Sequence, residues 1–214
     1  MFHRSFLRIL DGSDPLEHTT ADAHGASDLR ESQPVNSADD IIRTAGHYIQ
    51  GVKRPQSLVE THREYYVARD LKTNTVYMCY KKVLMLDIDN PGLGCEELVE
   101  RLGNHSAVSF QIYKTTRGYH AFCVSKTFDY RSKETVEFMY SFKDLGVDVD
   151  YIRYCYIRGF CVRLNKKFDG EAQDNYMYIT TTNPEFLDPM LKGLVDLHIA
   201  KCTDYQHDLN LANL

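Results

Sequence analysis

The sequence predicts an α+β fold in one main domain, with elements following the order β-α-β-β-α-β from residue 83 onward. Three observations predict it. Short runs rich in β-branched and aromatic residues recur ("YYVARD", "TVYMCYKK", "VLMLDID"), as strands require. Two segments, "CEELVERLG" and "SKETVEFMYSFKDLG", instead carry helical periodicity and end on Gly103 and Gly146. Two further apolar runs, "AVSFQIYKT" and "YHAFCVS", are separated only by a tight turn at Thr116, Arg117 and Gly118. A length of 214 residues with 43% hydrophobic content suffices to bury one such core.

Each element has a local reason. Residues 11–40 are rich in Asp, Ser, Thr, Ala and Gly without periodicity, so 1–40 is expected to be a flexible arm and 41–214 the single domain. A helix is expected at "SADDIIRTAGHYI", with Ser37 as cap and Asp39 and Asp40 in its first turn. "LKTN" reads as the turn between the first two strands. Leu98, Val99 and Leu102 share one face of the "CEELVERLG" helix, and Ser132 caps the longer helix after it. "IRYCYIRGFCVRLNKK" reads as a hairpin turning near Arg158 and Gly159, and "NYMYITT" as a late strand. "PEFLDPMLKGLVDLHI" closes as a helix kinked at Pro189. The run from 83 to about 180 is thus a split βαβ, ferredoxin-like order, shared with RNA-recognition domains. The order alone does not specify a function.

Composition narrows the classes. No apolar run approaches 18 residues, and the opening "MFHRSFLRIL" lacks a small-residue cleavage site, so neither a membrane span nor a secretory signal is expected. Six cysteines without a C-x-x-C pair, several inside apolar runs, predict reduced thiols in an intracellular protein (cytoplasm or nucleus). A net charge of −5 and pI of about 6.0 argue against coating duplex DNA. Between positions 113 and 168, however, eleven Lys and Arg stand against six Asp and Glu, which is either a basic cleft or a solvated face.

The chemistry concentrates at "VLMLDIDN". Period 2 points Asp87 and Asp89 to one face of a strand end, about 7 Å apart. Two such carboxylates repel unless a divalent cation, Mg²⁺ or Mn²⁺, takes their hard oxygens. In "KTTRGYHAF", His120 follows a polar, basic turn and shares the sheet with Asp87; its imidazole, with Arg117 and Lys114, suits phosphate oxygens. "GVDVDYI" repeats the D-x-D spacing at Asp148 and Asp150, and Arg163 and Lys166 lie on a strand and its exit. Taken singly, each feature is equally a loop carboxylate, a half-buried strand histidine or a cross-strand salt bridge.

Together, "LMLDIDN", "TTRGYHAF" and "GVDVDYI…CVRLNKK" resemble the archaeo-eukaryotic primase superfamily, most of all the small primase-polymerase branch of large DNA viruses and mobile elements. The resemblance covers roughly residues 65–180. It implies a catalytic unit of RNA-recognition type joined to an N-terminal α/β unit. It implies a DNA-dependent nucleotidyltransferase that makes or extends primers by two-metal phosphoryl transfer. Asp87, Asp89 and Asp148 or Asp150 would hold two Mg²⁺ or Mn²⁺ ions. His120, Thr116, Arg117, Arg163 and Lys166 would contact the nucleotide. The implied partners are nucleoside triphosphates, a single-stranded DNA template and a separate replicative helicase, since the family's zinc-binding segment and a Walker-type motif do not occur in these 214 residues. A virus-encoded origin and no membrane partner complete the expectation.

Two other classes compete. A catalytically inactive nucleic-acid-binding or scaffold module would stack bases on sheet aromatics such as Tyr113, Tyr119, Phe122, Tyr154 and Phe160. A haloacid-dehalogenase-type phosphatase would use Asp87 as nucleophile and Asp89 as acid. That chemistry normally follows the opening strand of a Rossmann-like domain, whereas about 80 residues come first here, and Pro91 replaces the usual Thr or Val.

Overall fold

The computed structural model of the chain describes residues 35, 37–50, 56–71, 73–90, 92–105, 108–165 and 176–211. Most of the expected arm, up to residue 34, lies outside them, as do Lys166 and Pro91. Contacts divide the chain into units 1–34 and 35–214, and every element below belongs to the second.

The class is α+β: the described residues form five α-helices and two antiparallel four-stranded sheets. Helix α1 (Ala38–Gln50) begins where Ser37 Oγ accepts from the Asp40 amide, three residues ahead of the expected domain boundary. Strands β1 (Gln56–Thr61), β2 (Tyr65–Asp70) and β3 (Val76–Tyr80) follow, and the order of the first sheet is β1-β2-β3-β7, with β7 at Phe160–Arg163. The second sheet contains β4 (Met85–Ile88), β5 (Phe110–Lys114), β6 (Tyr119–Cys123) and β8 (Met177–Thr181), in the order β4-β6-β5-β8. The hairpin strand β6 therefore lies between β4 and β5, which is the split βαβ arrangement, with α2 (Cys95–Gly103) as its crossover.

One expected element is of the wrong type. The first half of "IRYCYIRGFCVRLNKK" is not a strand but the end of helix α4 (Val149–Arg158). Asp148 caps its start by accepting from the Asp150 amide, and Gly159, at φ 90°, ends it with its N–H on Cys155 O. A second difference follows. Strand β7 leaves the sheet of β4 and pairs with β3 instead, Cys79 opposite Cys161 and Tyr77 opposite Arg163. Beside β4 its place is taken by one antiparallel bridge, Ile88 to Val147.

Both faces of the second sheet are covered. Phe110, Ile112, Tyr119, Leu86 and Ile88 point to one face, against Leu98 and Leu102 of α2 and against α3 (Lys133–Tyr140), where Phe138 stacks on Phe110 at 6.4 Å between centroids. Burying each such leucine contributes about 2 kcal/mol. Helix α5 (Pro189–Leu211) starts at Pro189 rather than kinking there: Asp188 Oδ1 accepts from the Met190 amide, and proline suits a first helical position. On this helix His198 meets Phe122 and Tyr80, and Leu194 O accepts from Tyr80 Oη, so α5 ties the two sheets together. Against the expectation of six reduced thiols, Cys79 and Cys161 are disulfide-bonded, while Cys95, Cys123, Cys155 and Cys202 carry no disulfide among the described residues. Among the described residues no helix is long and apolar enough to cross a membrane.

Candidate functional site

A cleft of about 350 Å³, within the size range of small-molecule sites, opens between the two sheets. Its walls bring together Asp87, Asp89, Arg117, His120, Asp148, Asp150 and Arg163, residues far apart in the chain.

Backbone bonds explain the convergence. At the end of β4 the segment 146–148 runs antiparallel alongside: the Asp89 amide donates to Gly146 O (3.0 Å), and the Asp148 amide donates to Asp87 O (2.9 Å). Asp148 is thereby placed next to Asp87. On the other edge of β4, Asp87 stands directly opposite His120 of β6. The β5–β6 turn is closed by the Thr115 amide on Gly118 O and by the Gly118 amide on Thr115 Oγ1. Gly118 passes so close to β4 that a Cβ there would lie 1.8 Å from Ile88 O. Only glycine lets the turn carrying Arg117 press against the carboxylate strand.

The electrostatics follow from these neighbours. Burial pushes the Asp87 carboxyl up, but the His120 hydrogen bond and charge, aided by Arg163 and Arg117, outweigh it and hold Asp87 below its ordinary value. His120 Nε2 lies 3.2 Å from Asp87 Oδ1, which leaves Nδ1 buried and without a partner among the described residues. Asp148 shifts the other way. Burial raises it most, and the charges of Asp87 and Asp150 add to this against two backbone N–H donors. Asp150 is ion-paired to Arg153, whose Nε donates to Thr44 on α1.

Not every expected residue joins the cleft. Thr116 is exposed at the tip of the expected turn and is absent from the lining, where the buried Thr115 stands instead. Lys114 lies over the Tyr119 ring, 3.9 Å from its centroid, rather than over the cleft. Lys166 lies outside the described residues. Asp89 sits past the strand end and is exposed. Among the described residues no three His, Cys, Asp or Glu side chains are grouped closely enough to hold a metal ion as they stand. Of the aromatics considered for base stacking, Tyr113, Tyr119, Phe122 and Phe160 are buried, and only Tyr154 lines the cleft. Strand β4 pairs antiparallel on both sides, unlike the parallel sheet a haloacid-dehalogenase-type site requires.

Sequence reasoning missed Tyr151 and Arg158. They follow Asp148 along one helix face with Tyr154, at spacings of three, three and four, and all four line the cleft. Read as a hairpin, this segment could not show that face. Comparison with protein families, with curated proteins and with solved structures found no match to this chain.

Proposed function

We propose that the cleft binds a nucleoside triphosphate with divalent metal and that the protein is a DNA-dependent nucleotidyltransferase of the primase-polymerase type. The observation that carries this reading is the meeting of Asp87, Asp89 and Asp148 with Arg117, His120 and Arg163 in one cleft. Acidic and basic side chains meeting in one cleft suit a ligand that brings both metal and phosphate. The ordered motifs that resemble the primase superfamily are the same residues.

The donor set fits a divalent cation in its chemistry. The available atoms are hard carboxylate oxygens, and Asp148 carries a like-charge conflict with Asp87 that a cation relieves. Asp87, Asp89 and Asp148 would hold it, Asp89 from its exposed position past the strand end. Asp148 is preferred to Asp150 as third ligand because Arg153 already engages the Asp150 carboxylate. When bound, Mg²⁺ or Mn²⁺ supplies Lewis acidity for an attacking 3′-hydroxyl and a leaving pyrophosphate. The chain's own residues bind and orient: Arg117 and Arg163 attract the phosphates, and His120 fixes the Asp87 carboxylate while turning its second nitrogen to the buried side of the cleft. A single-stranded DNA template and a separate helicase belong to the same proposal.

Mn²⁺-dependent incorporation of labelled nucleotide is the test, comparing wild type with an Asp87→Ala plus Asp89→Ala double variant. Incorporation by wild type that disappears in the variant is expected. Incorporation retained in the variant would remove the metal-site reading. Nucleotide or DNA binding without incorporation by wild type would favour the inactive binding module.

A further inference from the structure

A second group of cations lies just beyond the cleft. The segment 126–131, "KTFDYR", joins β6 to α3, and its two basic residues are exposed. The Lys126 ammonium sits over the Phe128 and Phe138 rings, 5.1 and 5.3 Å from their centroids, and these two rings are stacked. Arg131 sits over the Tyr130 ring at 5.5 Å. The exposed Lys82 adjoins them, because its carbonyl accepts from the Phe128 amide. Contacts continue from here to the cleft. The Tyr130 ring meets Phe160 edge-on, 6.4 Å between centroids, and Phe160 is two residues past Arg158. Arg158 lines the cleft and itself sits over the Tyr154 ring at 5.5 Å.

These four cations are not spent on carboxylates. Among the described residues Lys82, Lys126, Arg131 and Arg158 make no ion pair, whereas the exposed Arg43, Arg101 and Lys192 each do. Asp129, the one acid in the segment, accepts from the Arg131 amide, and Glu64, whose carbonyl accepts from the Lys81 amide, is paired with Arg63. In a chain with 30 acidic against 25 basic residues, a local group of unpaired cations stands out. A ring beneath Lys126, Arg131 and Arg158 restricts each cation without neutralising it, so the charge and the N–H donors remain available to an anion.

We infer that this strip holds the sugar-phosphate backbone of single-stranded DNA on its way to or from the cleft. The inference rests on the nucleotidyltransferase reading above and deepens it by giving the template strand a path. Lys82, Lys126 and Arg131 are absent from the cleft lining, so a ligand that meets them as well as Arg158 extends beyond the cleft, as a polymer does and a single nucleotide does not. Repeating phosphates supply the matching charge. The overall charge of −5 opposes duplex DNA, which carries twice the phosphates per unit length, more than it opposes one strand.

The test is fluorescence anisotropy of a labelled oligothymidylate of about 20 nucleotides, without divalent metal, over about 50–200 mM NaCl. Wild type is compared with a Lys82→Gln, Lys126→Gln, Arg131→Gln variant, whose three side chains are exposed, so the fold is kept. At about 0.7 per lost phosphate contact, the slope of log K against log salt should become shallower by about 2, and binding at low salt should weaken about tenfold or more. Binding of ATP with Mn²⁺ should not change. An Arg43→Gln, Arg101→Gln, Lys192→Gln variant removes the same charge from ion-paired positions and should bind the oligonucleotide as wild type does. Arg158→Gln added to the first variant should flatten the slope by about 0.7 more, and no further change would overturn the link between strip and cleft. An unchanged slope in the first variant, an equal loss in the ion-pair variant, or a duplex of the same length bound as tightly as the single strand overturns the inference. So does a wild type that binds ATP with Mn²⁺ but not the oligonucleotide, whereas failure to bind the triphosphate refutes the nucleotide-site reading instead.

Discussion

Replacing Gly118 by alanine tests how the cleft is assembled. The added Cβ would meet Ile88 O at 1.8 Å, and Ile88 C and Asn90 N at 2.9 and 3.2 Å. Ordinary van der Waals contact begins near 3.4 Å, so the turn must recede by about 1.6 Å or β4 must yield. The obstacle is backbone in a buried strand, not the end of a flexible side chain, so the upper part of the overpacking range applies, about 3 kcal/mol. For a domain of this size that corresponds to a fall in Tm of roughly 6–12 °C, and to a shift of the urea midpoint of about 1.5 M at an m-value near 2 kcal/mol/M. The displacement also draws Arg117 away from Asp87, and a misplacement of this order costs about 10²-fold in a site that depends on orientation. Urea denaturation followed by far-UV circular dichroism reads the first effect, and nucleotide binding in Mn²⁺ the second. Gly103→Ala is the control: nothing lies within 4 Å of its Cβ position, so it should change stability by no more than about 1 kcal/mol. A Gly118→Ala protein with a midpoint within about 0.3 M of wild type would show that the close approach to β4 does not hold the turn.

Three more outcomes follow from the same geometry. Asp148 titrates above its ordinary 3.8, so the folded state binds that proton more tightly than the unfolded chain, and stability falls as pH rises from 3.8 through the raised value; Asp148→Asn keeps a good helix cap, should stabilise the metal-free protein at pH 7 by about 0.5–2 kcal/mol and should abolish stabilisation by Mn²⁺, and a destabilised variant in thermal melts refutes the repulsion. His120→Ala should weaken triphosphate binding about tenfold while changing affinity for single-stranded DNA by less than about twofold, and titrations showing equal losses exclude the assigned role. The Cys79–Cys161 bond closes a separation of 82 residues, worth roughly 4.5 kcal/mol by chain entropy, so reduction should lower Tm by about 10–15 °C, and a melt unchanged by dithiothreitol shows that the two thiols are not cross-linked.

Much of this arrangement is legible in the residues. The apolar run before Asp87, the Ser132 cap and the hairpin of Phe110–Lys114 with Tyr119–Cys123 all follow from local rules of propensity and capping. Helix α4 does not, because "IRYCYIR" consists largely of β-branched and aromatic residues, and propensity favours a strand. Tertiary packing overrides that preference: Ile152 and Cys155 turn inward at helical spacing, and Arg153 reaches Thr44 and Asp150. The local signals that could have decided it were Asp148 and Asp150 at the start and Gly159 after the end. The transfer of β7 to the other sheet was beyond local reasoning, since a strand's partner depends on which edge the chain reaches after α4. The pairing of Cys79 with Cys161 was hidden for the same reason. The turn at Thr116, Arg117 and Gly118 stands where the sequence places it, but which of its two threonines faces inward depends on its packing against β4 and was not legible.

The departure of β7 has a mechanical consequence. Arg163 is anchored through Tyr77 to one layer of the molecule, and Asp87 through His120 to the other. Their separation is therefore set by how the two layers pack, so a change at the contacts of Tyr80 and Phe122 with His198, which tie the layers, moves the guanidinium relative to the carboxylate although it touches neither.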